Sequence, residues 1–317
     1  MSAELLRVED LCIDYLSESG DVRIVDHLSF DVRPGEILGL AGESGSGKTT
    51  TLKGILRLLG RPAAITGGRV LFKDMDILDM DEDQLRTFRW KEISLVMQSA
   101  MNALNPVLTV GDQIRDVVAA HEGAPATDAR ISDLLELVGI EASRANSYPH
   151  ELSGGMRQRV VIAMALALRP PLVFMDEPTT ALDVVVQKGI LDKIAALKET
   201  IGFSILLITH DLALMLDFCT RIGILYGGRL AESAPSSRLR TEAKHPYTQG
   251  LMRAFPDVHA DPSDLVGIPG TPPDPRAPPS GCRFHPRCPH VTDRCRQAQP
   301  PISTVGPDHQ VACWLYS

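Results

Sequence analysis

A chain of 317 residues has room for one large domain with an appendage, or for two domains. Its composition, 44% hydrophobic and 23% charged, is that of an ordinary globular protein, and a net charge of −8 argues against a nucleic-acid binder that works by broad phosphate attraction. No apolar run is long enough to span a bilayer, and "MSAELLRVEDLCIDY" lacks the basic start and apolar core of a signal peptide. The sequence therefore predicts a cytosolic chain whose membrane spans, if it works at a membrane, come from other subunits.

In chain order, "RVEDLCIDYLSESGDVRIVDHLSFDVRPGE" alternates apolar and polar residues around turn signals at Ser19-Gly20 and Pro34-Gly35, which predicts antiparallel strands. Four short apolar runs then read as buried strands: "EILGLAG" (Glu36 to Gly42), "EISLVMQ" (Glu92 to Gln98), "PLVFMDEP" (Pro171 to Pro178) and "FSILLITHD" (Phe203 to Asp211). Between the first two lies "TLKGILRLLG", with Leu52, Ile55, Leu56 and Leu59 on one helical face and Gly60 as its stop. Residues from about 99 to 168 are mainly helical in pattern. Strands alternating with helices predict an α/β fold with a mostly parallel sheet. From about Ser233 the character changes, dividing the chain into 1–232 and an extension, 233–317. Within the extension, 261–281 holds seven prolines and reads as an extended linker.

Several stretches carry chemistry. "GESGSGKT" (Gly42 to Thr49) fits G-x-x-x-x-G-K-[ST] between a predicted strand and a predicted helix. Its glycines let consecutive N–H groups wrap phosphates, and the helix N-terminus adds a favourable dipole. Gly42, Ser44, Gly45, Ser46, Gly47, Lys48, Thr49 and Thr50 are the candidate nucleotide-binding residues, with Lys48 on the β- and γ-phosphates and Thr49 on Mg²⁺. "LVFMDEP" ends an apolar strand on Asp176, placed to serve the same metal, and Glu177 follows where a general base for an attacking water is needed. "LSGGMRQR" (Leu152 to Arg159) sets Ser153, Gly154 and Gly155 at a helix start, a hydroxyl plus free N–H groups at the positive end of a dipole.

Together with Gln98, "ALD" (Ala181 to Asp183) and His210, these motifs resemble those of the ATP-binding subunit of an ABC transporter, in order, over about Leu5 to Gly228. The resemblance implies a P-loop NTPase core of ABC type, with an N-terminal antiparallel β subdomain, a helical subdomain and an irregular cysteine-containing extension. It implies an ATPase of the translocase class in which Ser153, Gly154 and Gly155 face ATP held by a partner's loop. Gln98 would sense Mg²⁺ and the attacking water, Asp183 would lie in the loop crossing the dimer, and His210 would contact the γ-phosphate. Tyr15 would stack on adenine, although a half-buried strand tyrosine looks the same in sequence.

"HPYTQGLMRAFP" (His245 to Pro256) and "GCRFHPRCP" further resemble the oligopeptide/dipeptide branch of ABC importers, whose members handle peptides, nickel complexes or oligosaccharides. The implied partners are a second ATPase subunit, commonly a paralogue, two transmembrane permease subunits at the cytoplasmic face of the membrane and, indirectly, an extracytoplasmic binding protein, with no nucleic acid. A non-transport ABC ATPase of DNA repair or translation is the alternative class. Such proteins usually carry inserted coiled coils or two tandem units, and neither is present here.

Cys282, Cys288, Cys295 and Cys313 read C-x5-C-x6-C-x17-C, without the C-x2-C pairs of common zinc modules. Under reducing conditions clustered thiols point to metal or redox chemistry rather than disulfides. Four thiolates suit a [4Fe-4S] cluster, which some members of the branch carry; a four-thiolate zinc site and four reduced thiols stay open. Arg283, Arg287 and Arg294 are placed in sequence to offset an anionic site. Cys12 and Cys219 fall in predicted core elements as small apolar residues.

Overall fold

The computed structural model describes residues 4–18, 20–97, 103–179, 183–254 and 267–317. In chain order the first elements are β1 (Leu6–Tyr15), β2 (Val22–Val32), β3 (Ile37–Ala41), α1 (Lys48–Ile55), β4 (Ala63–Phe72) and β5 (Met75–Asp76). There follow α2 (Glu82–Phe88), β6 (Ile93–Val96), α3 (Val110–Glu122), α4 (Asp128–Leu137), α5 (Gly154–Leu166), β7 (Leu172–Asp176), α6 (Val184–Ile201) and β8 (Ser204–Ile208). The last are α7 (Leu212–Phe218), β9 (Arg221–Tyr226), β10 (Arg229–Pro235), α8 (Ser236–Glu242), α9 (Pro246–Ala254), α10 (Asp293–Gln297), β11 (Ser303–Gly306) and β12 (His309–Val311). No helix among the described residues is long and apolar enough to cross a membrane.

The chain divides into two compact units. One combines Met1–Arg33, Ile37–Asp79 and Ile208–Ser317; the other combines Pro34–Glu36 with Met80–Leu207.

In the first unit an antiparallel sheet runs β2-β1-β4-β5. Half of these strands come from beyond the phosphate loop. "ITGGRV" in β4 carries a glycine pair that breaks a strand pattern, and its pairing with β1 supplies the reason. Gly68 has φ +92, and a Cβ there would stand 2.6 Å from the carbonyls of Glu9 and Asp10, opposite a bulge in β1. Helix α1 stops at Ile55, ahead of the predicted Gly60. Arg57 turns left-handed (φ 51), and the N–H groups of Arg57 and Leu58 donate to the carbonyls of Gly54 and Lys53, a Schellman stop without glycine.

The same unit holds a second sheet segment. Here β3 runs parallel to β9, β9 turns back into β10 through Gly227-Gly228, both left-handed, and β12 and β11 add on antiparallel. The extension predicted to be irregular thus contributes two strands. A Cβ on Gly39 of β3 would lie 2.8 Å from the Cys219 sulfur, so glycine permits the close packing of the end of α7. Cys12 and Cys219 are both buried.

In the second unit the strand order is β8-β7-β6, with β6 parallel to β7 in the register Ile93↔Leu172. Every β7 residue is buried, as a near-continuous apolar strand requires. Thr109, Thr127 and Ser153 cap α3, α4 and α5 by accepting from the N–H groups of Asp112, Arg130 and Met156. Helix α5 packs on β6.

Candidate active site

In the first unit the phosphate loop leaves the buried strand β3 and enters α1. Gly42 has φ +150, and a Cβ there would stand 2.2 Å from the Leu225 carbonyl, so no other residue fits. Gly45 and Gly47 are also left-handed. The Lys48 ammonium bridges its own loop, donating to the carbonyls of Gly42 (2.8 Å) and Glu43 (3.0 Å) and to Ser46 Oγ (3.1 Å). Ser46 is buried, whereas Ser44, Gly45 and Thr49 are exposed and Thr50 is half-buried. Tyr15 ends β1, opposite Val22 and Ala63, and is 39% exposed. His210 is exposed, immediately before Asp211, which caps α7 by accepting from Leu214 N–H.

In the second unit Ser153 is exposed at the start of α5, with Gly154 and Gly155 as its first residues. A Cβ on Gly155 would stand 2.9 Å from Val186 Cγ1, which explains the second glycine. Asp176 ends β7 and is buried. Glu177 follows with φ 48, a left-handed backbone uncommon for any side chain other than glycine, asparagine or aspartate. Asp183 caps α6, accepting from Val186 N–H at 2.9 Å. Gln98 and the Ala181-Leu182 pair lie outside the described residues.

The cysteine extension packs within the first unit, against the phosphate loop. Tyr247 Oη accepts from Glu43 N–H at 2.9 Å, and Arg287 grips the Glu43 carboxylate through both terminal nitrogens, at 2.7 and 3.0 Å. Burial opposes the Arg287 charge, but hydrogen bonds to Glu43 and Tyr226 outweigh it and raise its pKa further. Phe284 packs on Tyr226 (5.1 Å, edge-on), Tyr247 (5.4 Å) and His245 (5.7 Å). Burial pushes His245 down to about 4, and its neutral Nδ1 accepts from Tyr247 N–H. The proline-rich stretch walls a cavity of about 170 Å³ beside the loop, lined by Ser44, Gly45, Pro273, Asp274 and Arg283 among others. None of Glu43, Tyr247 and Arg287 was singled out by the sequence for nucleotide binding; an acidic residue inside the loop was the one local signal.

Cys282, Cys288, Cys295 and Cys313 all line one cavity of about 110 Å³, with His245 and Trp314. None of the four is in a disulfide. Burial pushes Cys282 up to about 11 and raises Cys288 and Cys313 as well. Among the described residues, no group of three or more His, Cys, Asp or Glu side chains is set to hold a metal ion. Of the arginines expected to offset an anionic cysteine site, Arg294 lines the same cavity as the four cysteines, while the other two pair with carboxylates away from it. Arg283 pairs with Asp26 (2.8 Å), Arg287 with Glu43, and Arg294 lies 3.5 Å over the Trp314 ring. For Arg283 and Arg287, neighbours in space rather than the adjacent cysteines set the partners.

The chain is similar to known proteins along almost its whole length. The ABC transporter family matches residues 25–180, and the oligopeptide/dipeptide transporter C-terminal region matches residues 231–295. The probable peptide ABC transporter ATP-binding protein y4tR of Sinorhizobium fredii is 43% identical over 316 residues, covering 98% of this chain and 94% of that protein. The dipeptide transport ATP-binding protein DppD of Escherichia coli is 39% identical over 313 residues, covering 98% and 96%. Among solved structures, the dimeric post-hydrolysis state of the ATP-binding cassette MJ0796 bound to ADP and Pi is 29% identical, with a TM-score of 0.64 over 73% of this chain and 98% of that one. Fold and loop together define an ATP-binding cassette. The chain belongs to the ABC transporter family of ATP-binding proteins, in its peptide and dipeptide transporter branch.

Proposed function

We propose that this chain hydrolyses ATP to drive the import of peptides through partner membrane subunits. The observation that carries the hydrolytic reading is Glu177, held left-handed directly after β7 ends on the buried Asp176. Left-handed backbone at such a residue costs on the order of 1 kcal/mol or more, and here it falls directly after the strand-end carboxylate.

In this reading the loop N–H groups and Lys48 bind the β- and γ-phosphates. Thr49, Asp176 and Gln98 would hold Mg²⁺, which would supply positive charge to the phosphate oxygens. Glu177 takes a proton from water as that water's oxygen bonds to the γ-phosphorus; the bond from phosphorus to the bridging oxygen breaks, leaving ADP and phosphate. His210 contacts the γ-phosphate, and Tyr15 stacks on adenine. Ser153, Gly154, Gly155 and Asp183 act across a dimer with a second ATPase subunit, a paralogue. Two permease subunits complete the complex at the cytoplasmic face of the membrane, with a binding protein delivering the peptide. Peptide as substrate rests on the names of the relatives.

The test is Glu177→Gln in the assembled transporter. ATP binding persists and turnover falls about 10²–10⁴-fold, the range of a positioned general base. Unchanged turnover would remove Glu177 from that role.

For the extension, the reading is a [4Fe-4S] cluster held by Cys282, Cys288, Cys295 and Cys313, supported by their sharing one cavity. A single zinc ion held by the same four thiolates is the rival reading. Iron, sulfide and zinc content of anaerobically purified protein separates these readings. About four irons and four sulfides per chain support the cluster; zinc alone, or no metal, overturns it.

A further inference from the structure

We propose that Arg287, a residue of the extension, is a positioning residue for the ATP phosphates, acting through Glu43. This rests on the reading of Gly42 to Thr49 as the ATP loop.

Glu43 is the second residue of that loop, and the extension holds it at two points: its N–H by Tyr247 and its carboxylate by Arg287. Its carbonyl in turn accepts from Lys48, the loop's cation. One chain of contacts therefore runs from Arg287 through Glu43 to the side chain that meets phosphate. The Arg287 end is fixed as well. Its other donors reach the carbonyls of Pro269 (2.9 Å) and Ile268 (3.3 Å) and Tyr226 Oη (3.2 Å), and its side chain is 6% exposed.

A forked guanidinium on a carboxylate fixes orientation as well as charge, which an ammonium cannot do. The loop binds phosphate by aiming consecutive N–H groups at one point, so a loop that drifts loses phosphate hydrogen bonds and with them affinity. A partly buried ion pair at the loop's second residue is well placed to prevent that. The extension would then belong to the ATP site itself as its outer wall.

The experiment measures affinity for a fluorescent ATP analogue with Mg²⁺, and KM and kcat for ATP, on the whole chain with its partner subunits. The variants are Arg287→Lys, Arg287→Gln, Glu43→Gln and the double Glu43→Gln/Arg287→Gln. The expected result is a rise in KM of about five- to thirtyfold in Arg287→Gln, with kcat at saturating ATP within about twofold. The double variant should be no worse than Glu43→Gln alone, because the two residues act as one unit. Arg287→Lys keeps the charge and the docked extension, shown by unchanged Trp314 emission of the full chain alone in a Trp90→Phe background, and still shows a raised KM. An unchanged KM in both Arg287 variants, a fall in kcat alone, or additive effects in the double variant would overturn the proposal. Failure of the wild-type chain to bind the nucleotide would instead overturn the ATP reading beneath it.

Discussion

Asp26 on β2 offers a measurable test of how the extension is anchored. Its carboxylate is 4% exposed and accepts from Arg229 (2.6 Å) and Arg283 (2.8 Å), the latter next to Cys282. Asp26→Asn removes the charge and leaves Arg229, Arg283 and, at 3.9 Å, Arg23 without their shared carboxylate. Breaking a fully buried pair costs about 3–5 kcal/mol, and an exposed pair is worth about 0–1 kcal/mol. Arg229 and Arg283 keep 25% and 17% of their side-chain surface in water, which relieves part of the penalty. The expected loss is therefore about 2–3 kcal/mol at pH 7. A second signature follows from proton linkage. Burial raises the Asp26 pKa, but the hydrogen bonds from Arg283 and Arg229 outweigh it and hold the carboxyl below its ordinary value. Because the folded pKa is depressed, the stabilisation is fully present above the unfolded value of about 3.9 and is lost as pH falls through the folded one. The wild type should lose stability on acidification in this range, and Asp26→Asn should lose less. Urea unfolding followed by Trp314 emission, in a Trp90→Phe background that leaves one tryptophan, reads the first unit directly. A shift worth less than about 1 kcal/mol, within the range of an exposed pair, or an acid dependence equal to that of the wild type, would refute the reasoning.

Two further outcomes can be checked on the same protein. Gly42→Ala should lower nucleotide affinity at least about tenfold with helix content unchanged by circular dichroism, since its Cβ would meet the Leu225 carbonyl at 2.2 Å and the loop must move. In metal-free protein, Cys282 should alkylate slowly at pH 8. With its pKa pushed up to about 11, only about one molecule in a thousand carries the thiolate, and labelling should quicken as pH rises toward 11. Rapid labelling at pH 8, resolved by peptide mass, would mean that the site is not buried as drawn.

The cassette was legible in the sequence because the physical demands behind it are local. Wrapping a phosphate takes consecutive N–H groups with left-handed freedom, so Gly42, Gly45 and Gly47 must be neighbours. A buried parallel strand must be apolar throughout, so "LVFM" announces β7 and the acid at its end. The antiparallel sheet was half legible, since β4 contains Gly67 and Gly68 and becomes a strand only by fitting a bulge in β1. The brace on the loop was not legible at all. Glu43 and Arg287 lie 244 positions apart, and neither periodicity nor spacing links them, because a carboxylate can be satisfied by any cation the fold delivers. Arg283 and Arg287 stand beside Cys282 and Cys288, and chain adjacency suggested counter-charges for the thiols. Residues adjacent on a tight turn project in different directions, so the thiols line one cavity while the arginines reach Asp26 and Glu43. That divergence lets one short segment serve two neighbours. It also makes the order of the cysteine loop a determinant of where Arg287 sits, and through Glu43 of where the phosphate loop sits.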